Sequence, residues 1–399
     1  MARTARRVPS ATVGLALLAA VLAALLVSVS PSHASRTVSE TYRVPASGTL
    51  RLTGHGYGHG HGMSQYGAQG AAKQGLTYGQ ILAFYYPGTT LGRTSGTIRV
   101  LITADSDNDV RVVPSSGLMV REVGGPSYTL PAISKNTTWR LRTVSGSTVL
   151  EYYNGAWHRY RPGGKALNGA AEFLRAGDVT LRVSGTTRAY HGTLRFIESN
   201  TVNVLNINHY VKGVLPLEMP TSWERAAVRS QAVAARTYAA WERAAHPTRS
   251  YQTCDTTACQ VYGGAGAEDP RGNDAVVATS NQVLNYSGRP AFTQFGSSSG
   301  GWLAAGSMPY LVAKADKYDG FSGNPTHTWE TTLTRAAIQR AWPRLGTLRR
   351  VLVTRRDGHG AWYGRVEQMT LDGGETNVTL TGDDFRSRFG LRSSWFHFG

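Results

Sequence analysis

The longest regular pattern in this chain is a helix signal over residues 220–247, PTSWERAAVRSQAVAARTYAAWERAAHP. Thr221 is predicted as the N-cap and Glu224 as its partner in a capping box, and Pro247 ends the pattern. Many positions are alanine, so the helix can lie close against neighbouring backbone. Because strand-like sequence precedes it, the chain is constrained to a fold in which a central helix packs on β-sheet.

The sequence around this helix predicts an α+β fold. Runs between Thr97 and about Val211, such as TIRVLITA, TWRLRTV, DVTLRV, GTLRFIES and TVNVLNI, are rich in β-branched residues and separated by turn residues. AAEFLRAG is the one helix-like run among them. Shorter helices are expected at 76–86, 274–282 and 335–342, with further strands in VLNY, AFTQFG, RRVLVTRR, VEQMTL and NVTLTG. The expected architecture is a β-rich N-terminal half, a long central helix and a mixed C-terminal part.

The first 34 residues are typical of an export signal. Arg3, Arg6 and Arg7 precede an apolar run over residues 13–29, and PSHA at 31–34 offers a cleavage site near Ala34. An uncleaved membrane anchor is the alternative, because a span needs roughly 20 apolar residues. Cleavage predicts a secreted or cell-wall protein that crosses the membrane only in transit.

The net charge of +17 indicates an anionic partner. Export favours the cell envelope over nucleic acid, and basic and aromatic residues are not regularly interleaved as nucleic-acid binding would require. We therefore expect no nucleic-acid partner. Solubility alone is the other interpretation of the charge.

Glu218, in the run VLPLEMP, is the strongest candidate for a catalytic acid. Pro216 and Pro220 restrict the backbone on either side, and Leu217 and Met219 surround the carboxylate with apolar groups. Such surroundings raise a carboxyl pKa, which is how a glutamate becomes useful as an acid near neutral pH. The start of the following helix favours the anion instead, so the sequence leaves the balance open.

Other polar residues suggest a binding groove. Arg236 lies among alanines and needs an acceptor if it is buried, and Tyr238 falls two positions later as either a ligand or a core residue. Ser298 and Ser299, in FGSSSGG, suit sugar hydroxyls or an ordinary turn.

The two cysteines, Cys254 and Cys259, leave three interpretations open. In an exported chain a close pair favours a disulfide, with an entropic stabilisation of about 2 kcal/mol for so short a loop. A zinc site would need two more ligands, and free thiols are the third interpretation.

The stretch GHGYGHGHGMSQYGAQG, residues 54–70, contains three histidines among glycines. A metal site would use His55, His59 and His61, but no carboxylate or cysteine nearby completes a ligand set. A flexible linker and a groove wall are the other interpretations.

The segment from Asn206 to Ala239 resembles the hallmark of the SpoIID/LytB family of bacterial cell-wall proteins, YVKGVxxxEM followed by QAVAARTYA. CQVYGG, FGSSSGGWLAAG and LRSSWF are similar to later family blocks, and residues 56–91 resemble the family's GHGxGMSQ[WY]GA motif with the helix after it. Together the resemblances cover most of the chain outside the leader.

The resemblance implies a lytic transglycosylase that cleaves peptidoglycan glycan strands, preferably stripped of stem peptides, and leaves a 1,6-anhydro-muramic end. It places the family's essential glutamate on Glu218, which would protonate the glycosidic oxygen before the muramic 6-hydroxyl attacks C1. One carboxylate can suffice, whereas ordinary glycoside hydrolysis uses two. From the motifs and the residues above we predict substrate contacts from His59, Ser64, Gln65, Arg236, Tyr238, Gln260, Tyr262, Ser298 and Ser299.

Two departures from the family pattern qualify this picture. Some members bind zinc through two cysteines and nearby histidines, but Ala258 stands where relatives can have histidine. No cofactor is therefore expected, with zinc as the weaker alternative. The histidine block also opens the chain, whereas it usually follows LxSxWF, so the chain is predicted to be circularly permuted, with surface termini near one another.

The predicted organisation is a signal peptide at 1–34, a permuted histidine/glycine segment at 35–93, a β-rich region at 94–212 and the catalytic core at 213–399. The runner-up function is a non-catalytic enhancer of a cell-wall amidase. A third is a hydrolytic muramidase, whose second acid would come from Asp255, Glu268 or Asp269.

Overall fold

The computed structural model describes residues 35–131, 134 and 137–399, so the predicted signal peptide lies outside the described residues. In this part helices and strands make up 24% and 35% of the structure, which confirms the α+β prediction. The described residues cluster as one compact unit. None of the helices within the described residues has the length and apolar character that crossing a membrane requires.

The described residues form seven α-helices. They are α1 Gln65–Lys73, α2 Tyr78–Tyr85, α3 Ile207–Glu218, α4 Arg225–Ala245, α5 Pro270–Ala278, α6 Arg335–Ala341 and α7 Gly382–Phe389.

Strands β1 to β16 precede the central helices. They are β1 Arg36–Arg43, β2 Thr49–His55, β3 Met63–Ser64, β4 Thr90–Arg93, β5 Thr97–Leu101, β6 Asp109–Val112, β7 Met119–Glu122, β8 Tyr128–Thr129, β9 Thr138–Val144, β10 Ser147–Tyr153, β11 Trp157–Tyr160, β12 Ala171–Leu174, β13 Val179–Val183, β14 Thr186–Tyr190, β15 Thr193–Ile197 and β16 Asn200–Asn206.

Strands β17 to β27 follow α4. They are β17 Thr253–Cys254, β18 Gln282–Tyr286, β19 Arg289–Pro290, β20 Phe295–Gly296, β21 Trp302–Leu303, β22 Lys314–Ala315, β23 Thr328–Thr334, β24 Arg350–Arg356, β25 Val366–Asp372, β26 Asn377–Leu380 and β27 Phe396–Phe398.

The strands between residues 97 and 206 build two sheets. A seven-stranded sheet has the order β17-β5-β16-β15-β12-β7-β8, and a six-stranded sheet has the order β11-β10-β9-β6-β13-β14. Apolar residues alternate along these strands and meet between the sheets, as in the buried positions of β5 and β13. The helix-like AAEFLRAG is in fact β12, so that expectation is wrong. Its Ala171 and Phe173 are buried between strand neighbours.

The alanine-rich α4 lies at the junction of two hydrophobic clusters. Ala232, Ala235 and Ala239 pack with α3 and the seven-stranded sheet. Val233 and Ala234, on another face, pack with α1 and α2. Small side chains allow neighbours to approach on both sides, as the composition predicted.

The start of α4 differs from the sequence prediction. The helix begins at Arg225, and its N-cap Glu224 makes no side-chain capping bond, so the predicted Thr221–Glu224 capping box is wrong. A tertiary contact replaces the box, because the Glu224 N–H donates to Gln69 of α1 at 2.9 Å.

A helix that the sequence did not predict, α3, positions Glu218. Asn206 caps its start by accepting from the Asn208 N–H. Its end is set by Pro220, because the residue before a proline is driven to extended backbone, and Met219 has φ −142° and ψ 140°. Glu218 is therefore the last residue of one helix, six residues before the N-cap of the next.

The first described strands pair with the last. Strand β2 lies between β23 and β27, with Gly54 opposite both Trp329 and Phe396. A four-stranded sheet, β1-β24-β25-β26, packs on α6 and α7 in a third hydrophobic cluster. The N-terminal and C-terminal parts of the described chain therefore fold together.

Candidate active site

A groove of about 320 Å³ has Glu218 in its wall. The other lining residues come from α4, from the loop after β17, from the turn before β20 and from the histidine block, and they are His59, Tyr238, Thr257, Ala258, Cys259, Gln260, Val261, Gln294 and Phe295. Glu218 is the only carboxylate among them. The groove therefore offers a single acid, which suits chemistry that needs one.

The two oxygens of Glu218 differ in their surroundings. Oε1 accepts a hydrogen bond from the Val261 N–H at 2.9 Å, and Oε2 has no partner among the described residues. Burial raises the carboxyl pKa above its ordinary value, and the Val261 N–H opposes that rise. Burial prevails, so the balance that the sequence left open falls on the side of a raised carboxyl pKa, and Oε2 is the oxygen that is free to carry a proton.

The backbone of Glu218 is also held in place. Its carbonyl, left without a helical partner at the end of α3, accepts from the Gln65 Nε2 at 2.9 Å. Gln65 is buried and does not line the groove. The structure thus places it behind the acid, as a positioning residue instead of the predicted substrate contact.

His59 lines the same groove as Glu218, with an uncharged ring. Burial, followed by the charge of His61, lowers its pKa to about 3. Its Nδ1 accepts from the His61 N–H at 2.9 Å, so the neutral ring carries its hydrogen on Nε2. His59 can contact a neutral sugar here, but it is a poor base at neutral pH.

The glycines of the histidine block are fixed turns instead of a flexible linker. Gly56, Gly58, Gly60 and Gly62 all have positive φ, and a side chain at Gly62 would meet the Gln294 carbonyl at 2.0 Å. The glycines between the histidines therefore allow the tight backbone turns that place His59 in the groove wall.

Ser64, Ser298 and Ser299 belong to a buried carboxylate network and do not line the groove. Ser64 caps α1 and donates to Asp319 at 2.7 Å, and Ser298 donates to the same carboxylate at 2.9 Å. Ser299 donates to Asp316 at 2.9 Å. The predicted sugar contacts of these three serines are corrected, because their hydroxyls are used inside the protein.

Asp319 organises this network. It accepts from the N–H groups of Ser299 and Gly300 and pairs with His327 at 2.9 Å. Burial raises the pKa of this carboxyl, but the side-chain hydrogen bonds from His327, Ser64 and Ser298 outweigh burial and lower the pKa below its ordinary value. The network holds the serine loop beside the histidine block, and it was not predicted because Ser64 lies 255 residues from Asp319 along the chain.

Arg236 and Tyr262 are interior residues. Arg236 is fully buried, where its guanidinium donates to Asn208 Oδ1 at 2.8 Å and to the carbonyls of Gln282 and Val276. The hydroxyl of Tyr262 donates to Asn203 at 2.8 Å. The predicted substrate contacts of Arg236 and Tyr262 are therefore corrected to structural roles.

Gln260 and Tyr238 do line the groove. Gln260 is largely buried and accepts from Tyr210 at 3.2 Å, so only a small part of it faces a ligand. The sequence missed Thr257, Gln294 and Phe295, although two of these directly precede GSSSGG and the third lies between the cysteines.

Cys254 and Cys259 are joined in a disulfide. Both sulfurs are therefore unavailable as zinc ligands, and no group of three metal-binding side chains occurs within the described residues. The three acids considered as second partners have other roles, because Asp255 accepts from Thr103, Glu268 contacts His191, and Asp269 caps α5.

Comparison with known proteins gives the relationship of this chain. A family model described as SpoIID, Stage II sporulation protein, matches residues 197–286, which include α3, Glu218 and α4. Over these residues the chain is similar to the SpoIID family. The resemblance to the SpoIID/LytB family is thereby confirmed.

Individual SpoIID relatives match other lengths of the chain. The amidase enhancer of Bacillus subtilis is 39% identical over 135 residues, covering 32% of this chain and 17% of that protein. An uncharacterized protein of Brachyspira hyodysenteriae is 37% identical over 129 residues, covering 31% and 35%. The Stage II sporulation protein D of B. subtilis is 26% identical over 260 residues, covering 58% and 68%. This chain thus spans about a sixth and a third of the first two relatives.

Proposed function

We propose that this protein is an exported lytic transglycosylase that cleaves the MurNAc–GlcNAc bond of peptidoglycan glycan strands. The observation that carries the proposal is the single carboxyl of Glu218 in a groove, with its pKa raised by burial and its Oε2 unpartnered. The SpoIID relationship supports a role at the cell wall. A link to sporulation is proposed from the relatives' names alone.

The proposed reaction uses one residue twice. The Glu218 Oε2–H donates its proton to the glycosidic oxygen as the bond from that oxygen to muramic C1 breaks. The muramic 6-hydroxyl attacks C1, and its proton passes to the carboxylate, which restores the acid. No water is consumed, and the product carries a 1,6-anhydro end.

The groove supports this reaction by holding the acid still. Val261 fixes Oε1 and Gln65 fixes the Glu218 carbonyl, so the proton-bearing oxygen is held against the groove. The absence of a second carboxylate among the groove-lining residues disfavours the hydrolytic muramidase, which would need one to activate water.

The second candidate function is enhancement of a cell-wall amidase, without catalysis. It is favoured by the B. subtilis relative, which is named for that role. In this case the groove would bind glycan strands, and an amidase would be the partner.

The test compares the protein with Glu218→Gln on peptide-free glycan strands, with products analysed by mass spectrometry. Glu224→Gln is the matched control, because Glu224 is exposed and makes no capping bond. We expect anhydro-ended fragments from the protein and from the control, and a loss of 10³-fold or more, roughly, in the Glu218 variant. Reducing ends would indicate hydrolysis. No cleavage by any form would overturn the proposal in favour of the enhancer.

A further inference from the structure

A second cavity, of about 540 Å³, lies between the start of α4 and α5. Arg225, Arg229 and Val228 of α4 form one wall, and Arg271 of α5 belongs to the other. Residues 221–223, in the loop before α4, also line the cavity. We call this cavity the arginine pocket. It shares no lining residue with the Glu218 groove.

The three arginines of this pocket form no ion pair. Within the described part of the chain, the guanidinium groups of Arg225, Arg229 and Arg271 form no hydrogen bond or ion pair, and Arg271 interacts with Asp269 only through their charges. Other arginines of the protein are paired, such as Arg356 with Glu40 at 2.7 Å. Asp274 is the one carboxylate in the lining, so the pocket carries a net positive charge.

This arrangement is unfavourable for the helices themselves. Arg225 and Arg229 are like charges one turn apart, which repel on a helix surface. Arg225 is the first residue of α4 and Arg271 the second of α5, where the helix dipole disfavours a cation. The N-cap residues Glu224 and Asp269 are acidic, but neither helix has an acid in its first turn. Local stability does not explain these residues, so a bound anion is the simplest reason for them.

The rest of the lining favours a sugar over a bare anion. The indole of Trp223 is half-buried in the wall and packs on Tyr66 at 4.8 Å, and the side chain of Val277 is 65% exposed. Ser222 adds a hydroxyl group. Apolar surface beside hydroxyl and guanidinium groups matches a pyranose, which has apolar faces, a hydroxyl rim and, here, an anionic substituent.

We propose that the arginine pocket binds a saccharide polymer that carries one negative charge per repeat, with the carboxylate or phosphate held by Arg225, Arg229 and Arg271. Carboxylate and phosphate are the groups that a guanidinium binds through paired hydrogen bonds. Thr221 is three residues from Glu218, so their Cα atoms are at most about 11 Å apart. One strand of several sugars could therefore occupy both sites, yet binding at the pocket does not depend on the reaction proposed for Glu218.

The experiment measures binding by titration calorimetry in the Glu218→Gln background, so that no probe is cleaved. The probes are a peptide-free muramic-acid glycan oligomer with free carboxylates, a phosphodiester-linked sugar oligomer, and an uncharged N-acetylglucosamine oligomer. The test variant combines Arg225→Gln, Arg229→Gln and Arg271→Gln. The matched control removes the same charge at exposed Arg289, Arg340 and Arg344, and thermal melts establish that both variants fold. If the triple variant does not fold, Arg229→Gln and Arg271→Gln are measured singly.

The pocket variant should bind at least one charged oligomer about tenfold more weakly or worse, with binding to the uncharged oligomer unchanged. Affinity of the unaltered pocket should fall as salt rises. An effect on the carboxylate oligomer identifies the glycan strand as the source, and an effect on the phosphate oligomer alone identifies a phosphodiester polymer. Equal affinity of pocket and control variants for both charged oligomers would overturn the inference, whatever becomes of the activity proposed for Glu218.

Discussion

At the scale of single residues, the carboxyl of Glu218 is held in one position and has a raised pKa, which helps it to donate a proton. One oxygen is fixed by the Val261 N–H, and burial favours the neutral form. An enzyme acid needs both properties, because the proton must be present at working pH and must point at the leaving oxygen. The same burial makes the ionised form costly to the fold.

This cost gives a prediction for stability. A carboxyl whose pKa is raised on folding stabilises the fold fully below its unfolded pKa of about 4.3, and this contribution is lost as pH rises through the folded pKa. Glu218→Gln should therefore melt at a higher temperature than the unaltered protein at pH 8, with the difference shrinking toward pH 4. Thermal melts across this range measure it. A variant less stable than the unaltered protein at pH 8 would contradict the burial argument.

Residue types alone identified part of the groove. Glu218, His59, Tyr238 and Gln260 were predicted and lie around one cavity. Ser298 and Ser299 were predicted because polar groups suit sugars, Ser64 from the family motif, and Arg236 because a buried arginine needs an acceptor. The structure places all four inside the protein. Their partners, such as Asp319 for Ser64 at a separation of 255 residues, could not be found from local sequence.

At the scale of elements, α3 and α4 bring the acid to the groove. Periodicity and alanine content predicted α4. Helix α3 was missed, because its sequence INHYVKGVLPLE contains β-branched residues, a glycine and Pro216. Packing overrides these weak propensities, since Tyr210, Val211 and Val214 are all fully buried.

Arg236 links α4 to α3, α5 and β18 by hydrogen bonds, so its replacement should lower the stability of the fold. Arg236→Met removes the guanidinium that donates to Asn208 Oδ1 and to the carbonyls of Gln282 and Val276 in the interior. We expect a loss of about 2–4 kcal/mol in the free energy of unfolding. Chemical denaturation measures this, with exposed Arg289→Met as the control. Unchanged stability together with weakened glycan binding would restore the predicted substrate contact.

The disulfide closes the loop that forms one wall of the groove. Residues 257–261 line the groove between and beyond the cysteines, and Val261 also donates to Glu218. Replacing Cys254 and Cys259 with serine should lower the free energy of unfolding by about 2 kcal/mol and reduce cleavage. A mass increase of about two hydrogens on reduction checks the bond itself. Intact activity in the serine variant would show that the wall keeps its shape without the bond.

At the scale of the whole molecule, the two ends of the described chain pack together, and the N-terminal end contributes His59 to the groove. His55 and Gly58 donate from their backbone N–H groups to the carbonyls of Trp395 and Arg392, so the histidine block lies beside LRSSWF in space. This closeness is what a circular permutation requires. The permutation itself, like the proposed domain bounds, stays a prediction.

The Asp319–His327 pair makes the stability of the whole molecule depend on pH. The hydrogen bond to Asp319 raises the His327 pKa, so this contribution is present below the unfolded pKa of about 6.5 and is lost as pH rises through the folded value. His327→Gln keeps a donor toward Asp319 without titrating. It should therefore remove about 1 kcal/mol or less of the decline in stability between pH 6 and pH 8. Equal declines in variant and unaltered protein would contradict this role.

The fold class, helix α4 and the candidate acid Glu218 were predictable, because each depends on the periodicity or the local chemistry of a short stretch of sequence. The helix start at Arg225, the serine network and the groove wall were not, because each depends on contacts between distant segments, as when Gln69 replaces the capping box at Glu224. Residues that carry chemistry were thus easier to name than to place.

The central claim is that Glu218 drives cleavage without water, and the most direct measurement is the reaction run in heavy-oxygen water. Peptide-free glycan strands are digested with the protein and with Glu218→Gln, and the new ends are analysed by mass spectrometry. We predict 1,6-anhydro ends that contain no heavy oxygen, and their loss in the Glu218 variant. Reducing ends labelled with heavy oxygen, or anhydro ends that persist in the variant, would contradict the account.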